Sequence, residues 1–85
     1  MNSSIPDKRR FGRKKLSEMT WLINPIDGQL NECEILNLSP IGALIETPNA
    51  MQLPNYLLIL MKGESYSLEC IVKWREKTKL GVAFA

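Results

Sequence analysis

Arg9, Arg10 and Arg13 form the run R-R-F-G-R near the N-terminus, a pattern suited to gripping a charged ligand. Guanidinium groups hold phosphate bidentately, pair with guanine O6 and N7, and stack on a purine face. The spacing of Arg9 and Arg13 lets both meet one ligand, from an extended segment or from a single helical turn. Phe11 between them supplies an apolar docking point. A second set is Asn37-Leu38-Ser39-Pro40-Ile41-Gly42. On a strand, Asn37 and Ser39 share a face and present an amide and a hydroxyl side by side. Gly42 marks a place where the backbone turns tightly or a ligand comes close. Each set also has a plainer explanation. A basic run of this length serves equally well as a solubilising tail, and Asn, Ser, Pro and Gly are ordinary turn residues.

Catalytic chemistry has no footing. The chain has no His, so neither a Ser–His nor a Cys–His pair can form. Glu32, Glu34, Glu46 and Glu69 are scattered along strand patterns, as solvated sheet residues are. Cys33 and Cys70 fall inside strand patterns and are expected to be packed thiols. Two cysteines without other ligands do not make a zinc site. No Gly-rich phosphate loop precedes a helix. The expectation is a non-enzyme with no catalytic residue, no metal and no resident cofactor.

The 85 residues suit one small domain with no room for a deep two-lobed cleft. The longest apolar run, Tyr56–Met61, is far short of the ~20 residues of a membrane helix. The basic N-terminus lacks the apolar stretch of a secretory signal, and a secreted chain this small would carry more disulfides. A reduced, cytoplasmic protein without membrane insertion is expected. The net charge of +2 is unevenly placed. Residues 1–15 carry six basic groups against Asp7, residues 16–72 carry Lys62 against seven acids, and residues 73–85 carry four basic groups against Glu76. Positive charge is gathered at the two ends, where an anion would be met.

Positioning these groups falls to strands. Residues 1–15 lack apolar periodicity and are interrupted by Gly12, so they predict a flexible basic arm; 16–85 predict the folded unit. Met19–Ile23 reads as a strand ended by the turn Asn24-Pro25-Ile26-Asp27-Gly28. Gln29–Leu38 follows, with Cys33, Ile35 and Asn37 on one face and a change from acidic to apolar on the other that predicts a bend near Leu36. Ala43–Thr47 is short, and Tyr56–Met61 is apolar throughout and predicts a fully buried strand. Tyr66, Leu68, Cys70, Val72 and Trp74 alternate with Ser67, Glu69, Ile71, Lys73 and Arg75, which places Trp74 in the core series, with the ligand's border as the alternative. Arg75 and Lys79 are expected in solvent. Leu80, Val82 and Phe84 alternate in a final strand. Six short strands and no amphipathic helix predict an all-β fold, a small antiparallel β-barrel closed to remove its edges.

Taken together, R-x-x-x-R (Arg9 to Arg13) and N-x-S-x-x-G (Asn37, Ser39, Gly42) resemble the signature of the PilZ domain. The ending Cys70-Ile71-Val72-Lys73-Trp74-Arg75, a short turn, then Leu80-Gly81-Val82-Ala83-Phe84 is similar to that family's last two strands. The resemblance implies a six-stranded barrel that binds the bacterial second messenger cyclic di-GMP. It implies that Arg9, Arg10 and Arg13 grasp phosphate and guanine while Asn37, Ser39 and Gly42 meet a guanine edge. Lys8 stands before R-x-x-x-R, where family members differ and where the residue bears on whether one ligand or a stacked pair is held. Many members carry a helix after the last strand, which is not expected in this sequence. The implied function is a sensor or adaptor module acting through a partner protein. Two other readings are a small nucleic-acid-binding barrel and a ligand-free interaction adaptor. Against nucleic acid, the only aromatics are Phe11, Trp21, Tyr56, Tyr66, Trp74 and Phe84, and most are expected to alternate into the core, leaving no exposed row for base stacking.

Overall fold

Each period-two segment has one apolar face to bury, and six such segments satisfy one another by closing into a ring. A computed structural model describes residues 14–61 and 66–85, with side chains from residue 17 onward. The strands are β1 (Lys14–Ile23), β2 (Leu30–Ser39), β3 (Gly42–Glu46), β4 (Tyr56–Leu60), β5 (Ser67–Glu76) and β6 (Lys79–Phe84). All pair antiparallel in the order β1-β2-β3-β6-β5-β4, and the barrel closes where Leu22 and Ile23 of β1 meet Ile59 and Leu58 of β4. No helix occurs among the described residues. The all-β barrel expected from the alternation is the fold observed. β1 starts at Lys14, two residues inside the arm as drawn from composition; residues 1–13 lie outside the described residues.

The turn between β1 and β2 shows why its residues are there. The Asn24 side-chain oxygen accepts from the Ile26 amide at 2.9 Å and that of Asp27 from the Gln29 amide at 2.9 Å. Both are side-chain mimics of a backbone turn. Gly28, at φ 75°, takes the left-handed position that a side chain would strain.

Every strand sends residues inward. Leu22, Ile35, Ile45, Leu57, Ile59 and Leu80 are fully buried, and Cys33 and Cys70 pack among them as free thiols. Burial pushes both thiols up to about 12, and at Cys33 the neighbouring Cys70 and Glu32 add to the rise. A thiol held protonated this firmly is a packing group, not a nucleophile. β4 departs from expectation: only Leu57 and Ile59 are buried, whereas Tyr56 is exposed and Leu58 and Leu60 are half-exposed. Its apolar run therefore covers both faces of a strand that has one face in the core.

The connector between β3 and β4 caps one mouth of the barrel. Thr47, Ala50 and Leu53 are buried, and the Thr47 hydroxyl donates to the Glu32 carbonyl at 2.9 Å. Arg75 ties this connector down and is not a solvent residue as expected. Its guanidinium donates to the carbonyls of Ala50 (2.7 Å) and Leu53 (2.6 Å) and to the side-chain oxygen of Asn55 (2.6 Å). The cause is a bulge at Lys73, where β5 gains one residue on β6: Val72 faces Val82, but Trp74 already faces Gly81. The extra residue shifts the alternation, so Arg75 opposes buried Leu80 and turns toward the barrel mouth. Lys79 is exposed, as expected.

Candidate functional site

Two bulges build the candidate site. On β2, Ile35 faces Ile45 but Asn37 already faces Leu44, so Leu36 is the extra residue. This is where the change of composition predicts a bend. Its consequence was not visible in the simple alternation. Leu38 takes the inner position and packs against the core, so Asn37 leaves the series of Cys33 and Ile35 and faces outward with Ser39. The Lys73 bulge does the same to Trp74. Expected in the core, Trp74 stands outside and is 48% exposed.

Between these two outward residues lies a groove of about 250 Å³ across β2, β3, β6 and β5. Asn37 and Ser39 form one side and Lys73 and Trp74 the other. Its floor is low because Gly42 and Gly81 carry no side chain. A Cβ on Gly42 would overlap the Val82 carbonyl oxygen, so glycine is what lets β3 lie this close to β6. A Cβ on Gly81 would overlap the Trp74 indole at its Nε1 and Cε2 atoms. The indole therefore lies over Gly81, its inner side covered by backbone.

The polar groups divide into two roles. The Ser39 hydroxyl organises the β2–β3 turn: it accepts from the amides of Ile41 (3.3 Å) and Gly42 (3.2 Å) and donates to the Gly42 carbonyl (3.3 Å). Ser39 and Gly42 thus do the turn chemistry that their residue types suggest, at the groove's edge. Among the described residues the Asn37 amide makes no such bond, and it lines the groove with two donors and an acceptor. Among the described lining residues Lys73 is the charged one. The groove offers an amide for a heteroaromatic edge, a ring for stacking and an ammonium for an anion. Among its described lining residues there is no pair of titratable groups set for proton transfer. Among the described residues no cluster of three His, Cys, Asp or Glu could hold a metal.

Lys8, Arg9, Arg10 and Arg13 lie outside the described residues. Strand β1 begins next to them, and its first paired residues, Lys14 and Lys15, face Leu38 and Asn37. Sequence reasoning did not find Lys73, Leu44 or Gly81 as groove residues. The available signal was Gly81, a glycine inside a strand pattern, which marks a close approach. The aromatic rings also differ from expectation. Trp21, Tyr56, Tyr66 and Trp74 are all exposed, and Phe84 alone of the described rings packs against the core.

A closed six-stranded barrel with a shallow polar and aromatic groove on its wall defines a binding module. A family model for the PilZ domain matches residues 7–85, and the chain belongs to that family. PilZ domains are cyclic di-GMP-binding modules, not enzymes. No curated protein matches the chain.

Proposed function

We propose that this protein binds cyclic di-GMP in the groove, clamped between the R-x-x-x-R segment and the Asn37–Gly42 turn, and signals through a partner protein. The observation that carries the reading is that two bulges turn an amide, Asn37, and an indole, Trp74, onto one face. That face also receives the start of β1, which follows directly on Arg13. Asn37 takes a guanine edge, Trp74 borders the ligand, and Ser39 and Gly42 hold the turn. Arg9, Arg10 and Arg13 supply the counter-charge for two phosphates, and Lys8 lies at the periphery. The basic arm is the moving part: without ligand its self-repulsion opposes ordering, and ligand binding orders it. The protein acts in the cytoplasm, a setting consistent with two free thiols. Among the described residues, no helix is long and apolar enough to cross a membrane.

The exposed rings favour a second reading, a single-stranded nucleic-acid binder. Its weakness is electrostatic. Trp21 pairs with Glu32, and Glu69 lies beside Tyr56, which repels a polyphosphate backbone from those rings. Calorimetry of the full chain with cyclic di-GMP, single-stranded RNA and GTP separates the readings. Heat with cyclic di-GMP alone is expected. Absence of that heat removes the main reading, and saturable heat with RNA installs the second.

A further inference from the structure

On the β1–β4 side of the barrel, away from the groove, the outer surface is apolar, and the strand registers lay it out in rows. One row runs Leu30 of β2, Ile23 of β1 and Leu58 of β4, and ends at Glu69 of β5. The next sets Trp21 against Glu32, and the next sets Met19 against Glu34. Each row ends on a glutamate. Leu30 is 54% exposed, Met19 50% and Trp21 42%, so the apolar centre is open to solvent. No Lys or Arg occurs from residue 17 to 61 or from 66 to 72, the stretches that supply these rows, so within them the acidic border carries one sign of charge.

We infer that this face docks a partner protein whose contact patch is apolar at its centre and basic at its edge. An apolar centre inside a charged rim is the anatomy of a specific protein interface, and rim charge selects the partner by complementarity. A second copy is a poor occupant. A two-fold contact would set Glu32, Glu34 and Glu69 of one copy against the same acids of the other. An anionic lipid surface is repelled for the same reason. None of these residues lines the groove, so the inference stands apart from the ligand reading, while giving the proposed signalling partner a place to sit.

The test uses the full chain, isotopically labelled and without nucleotide, so it does not depend on cyclic di-GMP binding. It is titrated with a synthetic amphipathic helix of leucine and lysine, and separately with the same pattern of leucine and glutamate. Amide and indole shifts are expected at Met19–Ile23, Leu30 and Leu58 with the lysine peptide only. Trp21→Gln should weaken the response at least ~10-fold, as loss of a central aromatic does in interfaces. Should Trp21→Gln fail to fold, Glu32→Lys with Glu34→Lys leaves the apolar centre intact and should transfer the preference to the glutamate peptide. Equal response to both peptides, shifts confined to the groove, or no response overturns the inference. So does a dimer formed through this face in sedimentation, or stronger attachment to phosphatidylglycerol vesicles than to the lysine peptide.

Discussion

The two sides of the barrel are made from the same antiparallel strands but present opposite surfaces. Where β2 and β5 each insert one residue against β3 and β6, polar and aromatic side chains turn outward over glycine floors and a groove results. Where β4 pairs with β1 and β5, the registers run without interruption and the outer surface is an even apolar sheet edged by acids. The difference shows how a small barrel presents two chemically distinct surfaces without loops long enough to build them. A single inserted residue reverses which side chains face solvent beyond it. The bulged side suits a flat, hydrogen-bonding ligand, and the regular side suits another protein.

The strongest way to break the comparison is at Gly42. A Cβ there meets a backbone carbonyl, which cannot swing aside as a side chain can. Gly42→Ala should cost about 2–3 kcal/mol, the upper part of the range for overpacking, read as a lower urea midpoint. Gly81→Ala should cost clearly less, because its neighbour is the movable Trp74 indole, and should alter the groove more than the fold. Equal costs would mean that the groove floor is not set by backbone contact.

Next come the arginines. Arg9→Ala or Arg13→Ala should lower cyclic di-GMP affinity at least ~10-fold, since a charged hydrogen bond contributes roughly 1.5–3 kcal/mol. Thermal stability should stay unchanged, because the buried core of the described residues is apolar and runs from Leu22 to Val82. Arg→Lys should also weaken binding, as an ammonium lacks the planar fork. Calorimetry on these variants decides, and an unchanged dissociation constant for Arg9→Ala or Arg13→Ala would make the arm a solubilising tail. A somewhat smaller effect is expected for Trp74→Ala: roughly 1–2 kcal/mol of binding, from the range for base–aromatic stacking. Its fluorescence change on adding ligand should disappear with the ring, while that of Trp21 on the opposite side stays constant.

The uneven legibility of the two faces follows from the same insertions. Period-two alternation groups Cys33 with Ile35, Cys70 with Leu68 and Val72, and Leu80 with Val82, and Cys33, Ile35, Cys70, Leu80 and Val82 are buried. Such patterning is a local property that closure of the barrel merely satisfies. It carries Trp74 and Asn37 inward as well, and there it fails. A bulge is a property of two strands, because it counts residues on one against residues on its partner. On β2 it left a trace, the shift from glutamates to leucines at Leu36. On β5 the trace was a basic residue on either side of Trp74, which by itself does not show which side is inside. The tyrosines and Trp21 were misplaced for another reason. In a barrel this small, half of every strand faces water, and apolar residues there signal an external surface, not a core.

The smallest expected effect tests whether strain in the fold is separable from both surfaces. The β5–β6 hairpin turns at Lys77 and Thr78, with Glu76 paired to Lys79. Lys77 sits at φ 56°, in the left-handed region. For a residue with a Cβ that conformation costs about 1–2 kcal/mol. Glycine removes this strain but brings about 0.5–1 kcal/mol of added freedom in the unfolded chain. Lys77→Gly should therefore stabilise the protein by a net ~0.5 kcal/mol, a rise of a few degrees in midpoint for a domain of this size. Lys77 lines neither the groove nor the apolar side, so affinity for cyclic di-GMP and the response to the lysine peptide should both hold at their unaltered values. Paired thermal melts and calorimetry measure this directly. A stabilised variant with altered binding at either surface would show that the hairpin's geometry reaches past the Lys73 bulge, and the two surfaces would then have to be treated as one coupled unit.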